Sequence, residues 1–286
     1  MELDDLIRFL RLPAEWFLTR TLGLRPPQES AALAEVEPFV LDGLTGWGLR
    51  QRLFVLAGEG CPEAEAHALV RAAGDLPHGA AAELILDAQS ARVTAFRDGL
   101  APYLTDACPP LELDLPLGGV RLVGWVDGVT AAGRVAYRLG RRRAQDLLGL
   151  WVRHLVLNHL APVGVDCRSR LLTEVENKRS HSFSLEVLEL APVAGAVGYL
   201  ADLVELFRQG QLAPLPLFPE TSAAFARVGW EGETWHAWQG GFGGWSGESP
   251  QWAIRTAFRG RDPIDADFES LARRVFAPVL AAHVRP

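Results

Sequence analysis

Three carboxylates in this chain could together hold a divalent metal ion. Asp127 follows a strand-like stretch and lies between Gly124 and Gly128. Glu83 and Asp87 are four residues apart, so they share one face of a predicted helix. Mg²⁺ prefers hard carboxylate oxygens, and a bound ion can generate hydroxide and stabilise charge at a phosphate. These residues could therefore support metal-dependent cleavage of a phosphodiester.

The strand after Asp127 lacks the groups that such a reaction needs. A second carboxylate and then a lysine are expected there, but the sequence has Ala136 and Arg138. A methyl group cannot bind a metal, and a guanidinium is always protonated and cannot act as a base. The favoured interpretation is a solvated helix face carrying Glu83 and Asp87, with Asp127 capping a turn. The alternative is an active magnesium-dependent nuclease that uses all three carboxylates.

A basic run at the junction between this strand and the next helix is a candidate DNA-binding site. It comprises Arg134, Arg138, Arg141, Arg142 and Arg143. Arginine suits phosphate contacts, although a solvated junction without a ligand fits the run equally well. Positive charge is unfavourable at the start of a helix, which favours a functional role. We therefore predict DNA contacts at Arg138, Arg141, Arg142 and Arg143.

The composition limits the functions that this chain can have. Its 286 residues are 49% hydrophobic and 22% charged, which is typical of one large globular domain or two small ones. The net charge of −7 excludes a generic basic nucleic-acid binder, so any DNA contact requires a local patch. Three cysteines without zinc or iron–sulfur spacing fit a reducing cytoplasm. No apolar run is long enough to cross a membrane. No cofactor is predicted, and magnesium enters only under the nuclease alternative.

The hydrophobic pattern predicts a mixed sheet covered by helices, an α/β protein of the α+β type. Helical spacing occurs near the N-terminus, at 43–58, at 62–73, in an Ala-rich stretch after Gly79, at 142–160, at 193–209 with Gly210 as its C-terminal glycine, and at 265–284. Strand patterns occur in "LELDLPLGG", "VRLVGWVDGV", "GRVAYRLG" and "RSRLLTEV".

Residues 229–252 are rich in Gly and Trp, and their pattern assigns no secondary structure. They include Trp230, Trp235, Trp238, Trp245 and Trp252. Exposed tryptophans could stack unpaired bases. Such residues more often fill a core or an interface, so we favour a core or subunit contact.

Seven segments of the chain carry a resemblance to a known family. They are "LDDLIRFLRLPAEWFLTRTLGL", "EPFVLDGLTGWGLRQRL", "RAAGDLPHGAAAELILDAQ", "VRLVGWVDGV", "DLLGLWVRHLVLNHL", "LADLVELFRQGQLAPLPLFPETSAAF", and "FRGRDPI" leading to "LARRVFAPVL". In this order they resemble the C-terminal part of RecC, the gamma subunit of exodeoxyribonuclease V. A full RecC is much longer, so we expect this chain to be an excised piece.

The resemblance implies a restriction-endonuclease-like fold whose catalytic residues have been replaced. Active members carry a Gly-led helix with His and an acidic residue, an Asp, an Asp-x-Lys strand, and a helix with Gln and Tyr. The matching positions here are Gly79, Glu83, Asp87, Asp127, Ala136, Arg138, Leu147 and Trp151. The departures fall on the residues that do chemistry, whereas the hydrophobic frame is kept.

The resemblance also implies an organisation and a role. We expect one nuclease-like domain over 1–286, with a helical part at 1–75, a degenerate nuclease core at 76–210 and an extension at 211–286. Its expected role is non-catalytic DNA handling and subunit assembly in double-strand break repair by homologous recombination. The implied partners are RecB-like and RecD-like subunits, double-stranded DNA ends and separated strands. A pure protein-interaction module without DNA contact is a further alternative.

Overall fold

The computed structural model describes residues 1–27, 43–74, 76–77, 79–177, 179–180, 182–241 and 246–284. The α-helices in these ranges are α1 (Leu3–Arg11), α2 (Pro13–Trp16), α3 (Gly43–Gly58), α4 (Glu63–Ala72), α5 (Ala80–Leu100), α6 (Ala144–Leu160), α7 (Ala196–Leu212), α8 (Pro219–Val228), α9 (Gly232–Gln239), α10 (Trp252–Ala257) and α11 (Ala266–Ala282). The strands are β1 (Leu111–Leu117), β2 (Val120–Val126), β3 (Val129–Thr130), β4 (Gly133–Tyr137), β5 (Ser169–Asn177), β6 (Ser182–Leu190) and β7 (His283–Val284). A π-helical turn, Phe17–Thr21, follows α2, and a 3₁₀ turn, Ala101–Tyr103, follows α5. The predicted α+β class is confirmed.

Two sheets are formed by these strands. Five strands, in the order β3-β4-β5-β6-β7, make a mixed sheet in which β4 and β5 are parallel and the other pairs are antiparallel. Strands β1 and β2 form a separate antiparallel hairpin. The predicted mixed sheet is confirmed. Strand β4 pairs with the short strand β3 and not with β2, the strand that precedes Asp127.

Helices cover both faces of the mixed sheet. Successive residues of a strand point to opposite faces. On β5, Leu171 therefore packs into a first hydrophobic cluster with α1, α6, α7 and α11, whereas Leu172 packs into a second cluster with α3, α4 and α5. On β4, Ala136 faces the first cluster and Val135 the second. The predicted domain boundaries at 75 and 210 stay a prediction.

A third hydrophobic cluster joins α2, α8, α10 and α11. Trp230 and Trp238 pack against it, which confirms the predicted core role for these two residues. Trp235 is 43% exposed and packs on Trp230, with 4.9 Å between ring centroids. Trp245 lies outside the described residues. No helix in the described ranges is both long and apolar enough to span a bilayer.

The buried carboxylate of Glu248 fixes the first turn of α8. It accepts hydrogen bonds from the backbone N–H of Glu220 and from both the N–H and the hydroxyl of Thr221, at 3.1, 2.8 and 2.7 Å. A carboxylate at this position satisfies N–H groups that the helix itself leaves unpaired. The C-terminal Gly/Trp-rich stretch therefore determines how α8 begins.

The prediction that Gly210 ends its helix is wrong. Helix α7 continues to Leu212, and Gly210 lies within it. A Cβ at position 210 would lie 2.2 Å from Cε2 of Phe9. The glycine is therefore needed for close packing between α1 and α7.

Candidate nucleic-acid interface

Asp127 lies between β2 and β3, where a tight backbone approach brings it beside β4. The carbonyl oxygen of Gly128 accepts a 2.8 Å hydrogen bond from Val135 N, and Gly128 has a φ of +68°. Arg134, at the start of β4, donates from Nε to the Asp127 carbonyl at 3.0 Å and from Nη2 to its carboxylate at 3.1 Å. The carboxylate that could bind a metal is thus paired with a buried guanidinium.

A second arginine approaches the same carboxylate. Arg153 Nε lies 3.9 Å from Asp127 Oδ1, and Arg153 Nη2 donates to Asp4 Oδ1 at 2.6 Å. Burial alone would raise the pKa of Asp127, but the hydrogen bond from Arg134 and the two positive charges hold that pKa below its ordinary value. Burial and the charge of Arg153 lower the pKa of Arg134 to about 10. We call Asp4, Asp127, Arg134 and Arg153 the Asp127 cluster; its opposite charges balance.

The other two carboxylates lie apart from this cluster. Glu83 pairs with Arg71 of α4, and Asp87 is exposed one turn later on α5. Across the described ranges, no three His, Cys, Asp or Glu side chains form a group that could hold a metal ion. Glu83, Asp87 and Asp127 are therefore not brought together. Ala136 is half-buried against the first hydrophobic cluster, where it offers no ligand.

Leu147 and Trp151, which the resemblance aligns with Gln and Tyr of active nucleases, pack in the protein interior. Trp151 of α6 is 2% exposed, and its ring stacks on His154 with 5.6 Å between centroids. Leu147 packs at the edge of the same cluster. His154 bonds Ser169 Oγ at 3.0 Å and the Ala191 carbonyl at 3.1 Å, and burial lowers its pKa to about 4. This histidine is a neutral structural residue.

The basic run from Arg138 to Arg143 forms the loop between β4 and α6. Arg138 lies 3.4 Å from Asp146, and its guanidinium lies 5.9 Å from the ring of Trp47. Arg142 lies 3.5 Å from Glu186 of β6, which directs it away from the other arginines. Arg141 and Arg143 are exposed.

Carboxylates offset the unfavourable charge of this loop at the helix start. Arg143 is the N-terminal cap residue of α6, and its N–H donates to Asp146 Oδ2 at 2.9 Å. The next N–H, of Ala144, donates to Glu220 Oε1 of α8 at 3.0 Å. Two acids at a helix N-terminus are favourable to the helix dipole. The loop therefore presents arginines while the first turn of α6 remains stabilised.

An open cleft of about 660 Å³ lies between this loop, α3, α5, β5 and β6. Its charged lining consists of five arginines and two glutamates: Arg50, Arg92, Arg138, Arg141, Arg143, Glu174 and Glu176. We call it the arginine cleft. It is a concentration of positive charge in a chain whose net charge is −7. Of the four predicted DNA-binding arginines, all except Arg142 line it.

Two aromatic side chains help to hold the arginines in place. Arg92 pairs with the buried carboxylate of Glu174 through two hydrogen bonds of 2.7 and 2.8 Å. Its guanidinium lies 3.2 Å from the ring centroid of Phe183, as Arg138 lies over Trp47. Sequence reasoning missed Trp47, Arg50 and Arg92. The spacing of Trp47 and Arg50 on one helix face was the available signal.

A family model described as the RecC C-terminal domain matches residues 1–230. The chain belongs to the RecC C-terminal domain family. It is 28% identical over 228 residues to the RecBCD enzyme subunit RecC of Escherichia coli (strain K12), covering 79% of this chain and 19% of that protein. It is also 28% identical over 234 residues to the RecBCD enzyme subunit RecC of Mycolicibacterium smegmatis, covering 79% of this chain and 20% of that protein.

The predicted resemblance to the RecC C-terminal part is thereby confirmed. The chain spans about a fifth of the length of these RecC relatives. The match to the RecC family model contains every residue of the Asp127 cluster and of the arginine cleft. It ends before Glu248, α10 and α11, which nevertheless pack onto the matched part.

Proposed function

We propose that this RecC-type chain handles DNA without cutting it and helps to assemble a RecBCD-type helicase–nuclease. Its partners would be RecB-like and RecD-like subunits, double-stranded DNA ends and the strands separated from them, in repair of double-strand breaks by homologous recombination. The relatives carry the name RecBCD enzyme subunit RecC, and this chain corresponds to about a fifth of each.

The Asp127 cluster is the observation that supports a non-catalytic role. A metal-dependent nuclease requires two or more carboxylates around a cation. Here Arg134 and Arg153 supply positive charge beside Asp127, and Ala136 replaces the second ligand. A divalent ion would have to approach two guanidinium groups, and both carboxylates of the cluster, Asp4 and Asp127, already pair with them.

The arginine cleft supports DNA handling. Phosphate groups are the usual partners of clustered arginines, and binding through them is independent of base sequence and strongly salt-dependent. Arg141 and Arg143 are exposed at the cleft, where a phosphate could reach them. Positive charge is thus concentrated at one place on an otherwise acidic chain.

A cleavage assay tests the non-catalytic part of this proposal. The 286-residue chain and its Asp127→Ala variant are incubated with labelled duplex and forked DNA in Mg²⁺ or Mn²⁺. We expect no cleavage by either protein above a matched blank. Metal-dependent cutting that the substitution abolishes would overturn the proposal in favour of the nuclease that uses Glu83, Asp87 and Asp127.

A binding assay tests the DNA-handling part. Fluorescence anisotropy of a forked duplex is measured as the salt concentration rises. We expect the logarithm of the affinity to fall linearly with the logarithm of the salt concentration, because bound arginines release counterions. Absence of binding at low salt, together with co-purification with RecB-like and RecD-like subunits, would favour the pure protein-interaction module.

A further inference from the structure

Two hydrogen-bond donors of the arginine cleft have no acceptor within the described part of the chain. Trp47 Nε1 and Arg50 Nε are both buried, and neither has a hydrogen-bond partner among the residues that the structure describes. Arg50 uses another nitrogen, Nη1, to donate to Gln89 Oε1 at 3.0 Å. A buried donor left unpaired costs on the order of 1–3 kcal/mol, so the two together require an explanation.

The charge around these donors indicates what they would bind. The nearby carboxylate of Glu174 is already used by Arg92 in two hydrogen bonds. Burial and repulsion from Arg92 lower the pKa of Arg50, and the attraction of Glu174 offsets only part of that effect. Arg50 and Arg92 therefore share one counter-ion. The missing acceptor is expected to be an anion.

The backbone of Gly140 packs against the polar edge of Trp47. Gly140, in the loop between β4 and α6, has a φ of +144°, a conformation that favours glycine. A Cβ there would lie only 3.9 Å from Trp47 Nε1, so a larger side chain would cover that donor. The 3.0 Å hydrogen bond from Glu174 N to the Gly140 carbonyl fixes this part of the loop. Trp47 and Arg50 are three residues apart on α3, so they face the cleft together.

We propose that the arginine cleft binds a phosphodiester group of a DNA backbone, with Trp47 Nε1 and Arg50 Nε donating to its oxygens. This inference rests on the proposed DNA-handling function and locates it. One face of the Phe183 ring lies against Arg92 and one face of the Trp47 ring lies beneath Arg138, so these rings act mainly as supports for the arginines. Recognition is through the backbone and is independent of base sequence.

The first test follows the indole N–H of Trp47 by NMR in the ¹⁵N-labelled chain. Its resonance is assigned as the one that disappears in Trp47→Phe. Inorganic phosphate, oligothymidylate and an oligothymidylate of neutral methylphosphonate linkages are titrated separately. We expect saturable shifts with phosphate, shifts at much lower concentration with oligothymidylate, and none with the neutral oligomer.

The second test compares variants in oligothymidylate binding. Trp47→Phe keeps the aromatic ring and removes only the N–H, and Arg50→Lys keeps the charge and removes Nε. Each should weaken binding about tenfold, the effect of one hydrogen bond to a charged group. Trp125→Phe, at a tryptophan that is 59% exposed, and Arg52→Lys, on the same helix but outside the cleft lining, are the matched controls and should bind as the parent does. Thermal melting confirms that each variant folds.

The outcomes separate this inference from the proposed function. Oligothymidylate binding without a shift of the Trp47 indole, or without loss in either variant, would overturn the inference and leave DNA handling in place. A shift with phosphate but no binding of oligothymidylate would make the cleft a site for free phosphate and would overturn the inference; absence of forked-duplex binding as well would overturn DNA handling. Equal shifts with the neutral oligomer would exclude recognition of the phosphate charge.

Discussion

The Asp127 cluster and the arginine cleft are both built around arginines, but their charges are balanced differently. In the cluster, two guanidinium groups meet two carboxylates. Within the described ranges, Arg134 Nη1 and Arg153 Nε also lack a hydrogen bond, yet Arg153 Nε lies 3.9 Å from a carboxylate oxygen of Asp127. In the cleft, five arginines and two glutamates form the charged lining, and two buried donors, Trp47 Nε1 and Arg50 Nε, have no hydrogen-bond partner among the described residues.

This difference indicates where a ligand is needed. Charges that are paired within the protein hold its parts together, and an added anion or cation would have to displace a partner. Charges in excess remain available to an external group. The nuclease resemblance points to the Asp127 cluster, whose arginines and carboxylates are paired with each other. The loop between β4 and α6 belongs instead to the arginine cleft, whose lining has more arginines than glutamates.

Removing one partner of the buried pair in the cleft should have the largest effect. Arg92→Met removes both hydrogen bonds that the Glu174 side chain, which is only 3% exposed, accepts from a guanidinium. We expect a loss of about 3–5 kcal/mol in the free energy of unfolding, measured by urea denaturation. The double variant Arg92→Met with Glu174→Leu should recover most of it. A loss below about 1 kcal/mol for the single variant would show that the pair does not hold the cleft wall.

The buried carboxylate of Glu248 is held by hydrogen bonds from Thr221 and Glu220, whereas Asp127 is held by arginines, so their effects on the pH dependence of stability can be compared. Burial raises the pKa of Glu248 to about 7, although bonds from Thr221 and Glu220 offset part of the shift. Because the folded pKa exceeds the ordinary value of 4.5, the chain should gain stability as the pH falls from 8 to 5, by up to about 3 kcal/mol. Glu248→Gln should flatten this dependence in urea denaturation. A parent and a variant with parallel pH profiles would contradict the assignment.

The contribution of Asp127 to stability should depend on pH in the opposite direction and should be smaller. Its pKa is lowered in the folded chain, so the stabilising contribution is present at neutral pH and is lost as the pH falls through the folded pKa. The side chain is 76% exposed, so Asp127→Asn should cost about 1 kcal/mol or less at pH 7. Asp98→Asn, at an exposed position of α5, is the control. Equal effects of the two substitutions at pH 7 would mean that the Asp127 cluster contributes nothing.

The smallest effect is expected from the exposed arginines. Arg143→Gln should weaken binding of a forked duplex a few-fold and reduce the salt slope by about one, since one phosphate contact is lost. Its cap on α6 uses the backbone N–H and would be kept. Arg142→Gln makes the same charge change at a residue paired with Glu186 outside the cleft lining, and should matter less. If anisotropy showed a larger loss of affinity for Arg142→Gln than for Arg143→Gln, DNA would bind on the side of the loop that carries Arg142.

The sequence was sufficient to predict elements with a strong local period. Helix α3 occupies the predicted 43–58, and α4, α6 and α11 agree within a few residues. Strand β4, which contains Ala136 and ends one residue before Arg138, was also predicted. Strand β6 was missed although Phe183, Leu185 and Val187 alternate with polar residues. The polar stretch before it is typical of a loop, and only the antiparallel pairing with β5 shows that β6 follows as the second strand of a hairpin.

The arginine cleft could be predicted only in part. Arg138, Arg141 and Arg143 are close in sequence and were identified as a basic run. Arg50 and Arg92 come from helices whose positions depend on long-range packing through the second hydrophobic cluster. The prediction that Arg142 joins the run in binding DNA stays a prediction, with its side chain directed to Glu186. A local pattern identifies arginines that are close in sequence. The charge balance of the cleft also depends on which distant helices and strands pack around it.

The carboxylate of Glu248 has a consequence for how this region can be dissected. It anchors the start of α8, and Glu220 in that same first turn anchors the start of α6 beside the arginine-bearing loop. A fragment trimmed at residue 230, where the family match ends, would release the first anchor and loosen the second. The end of the family match thus separates α8 from the carboxylate that anchors its first turn, and the arginine-bearing loop depends on residues beyond that point.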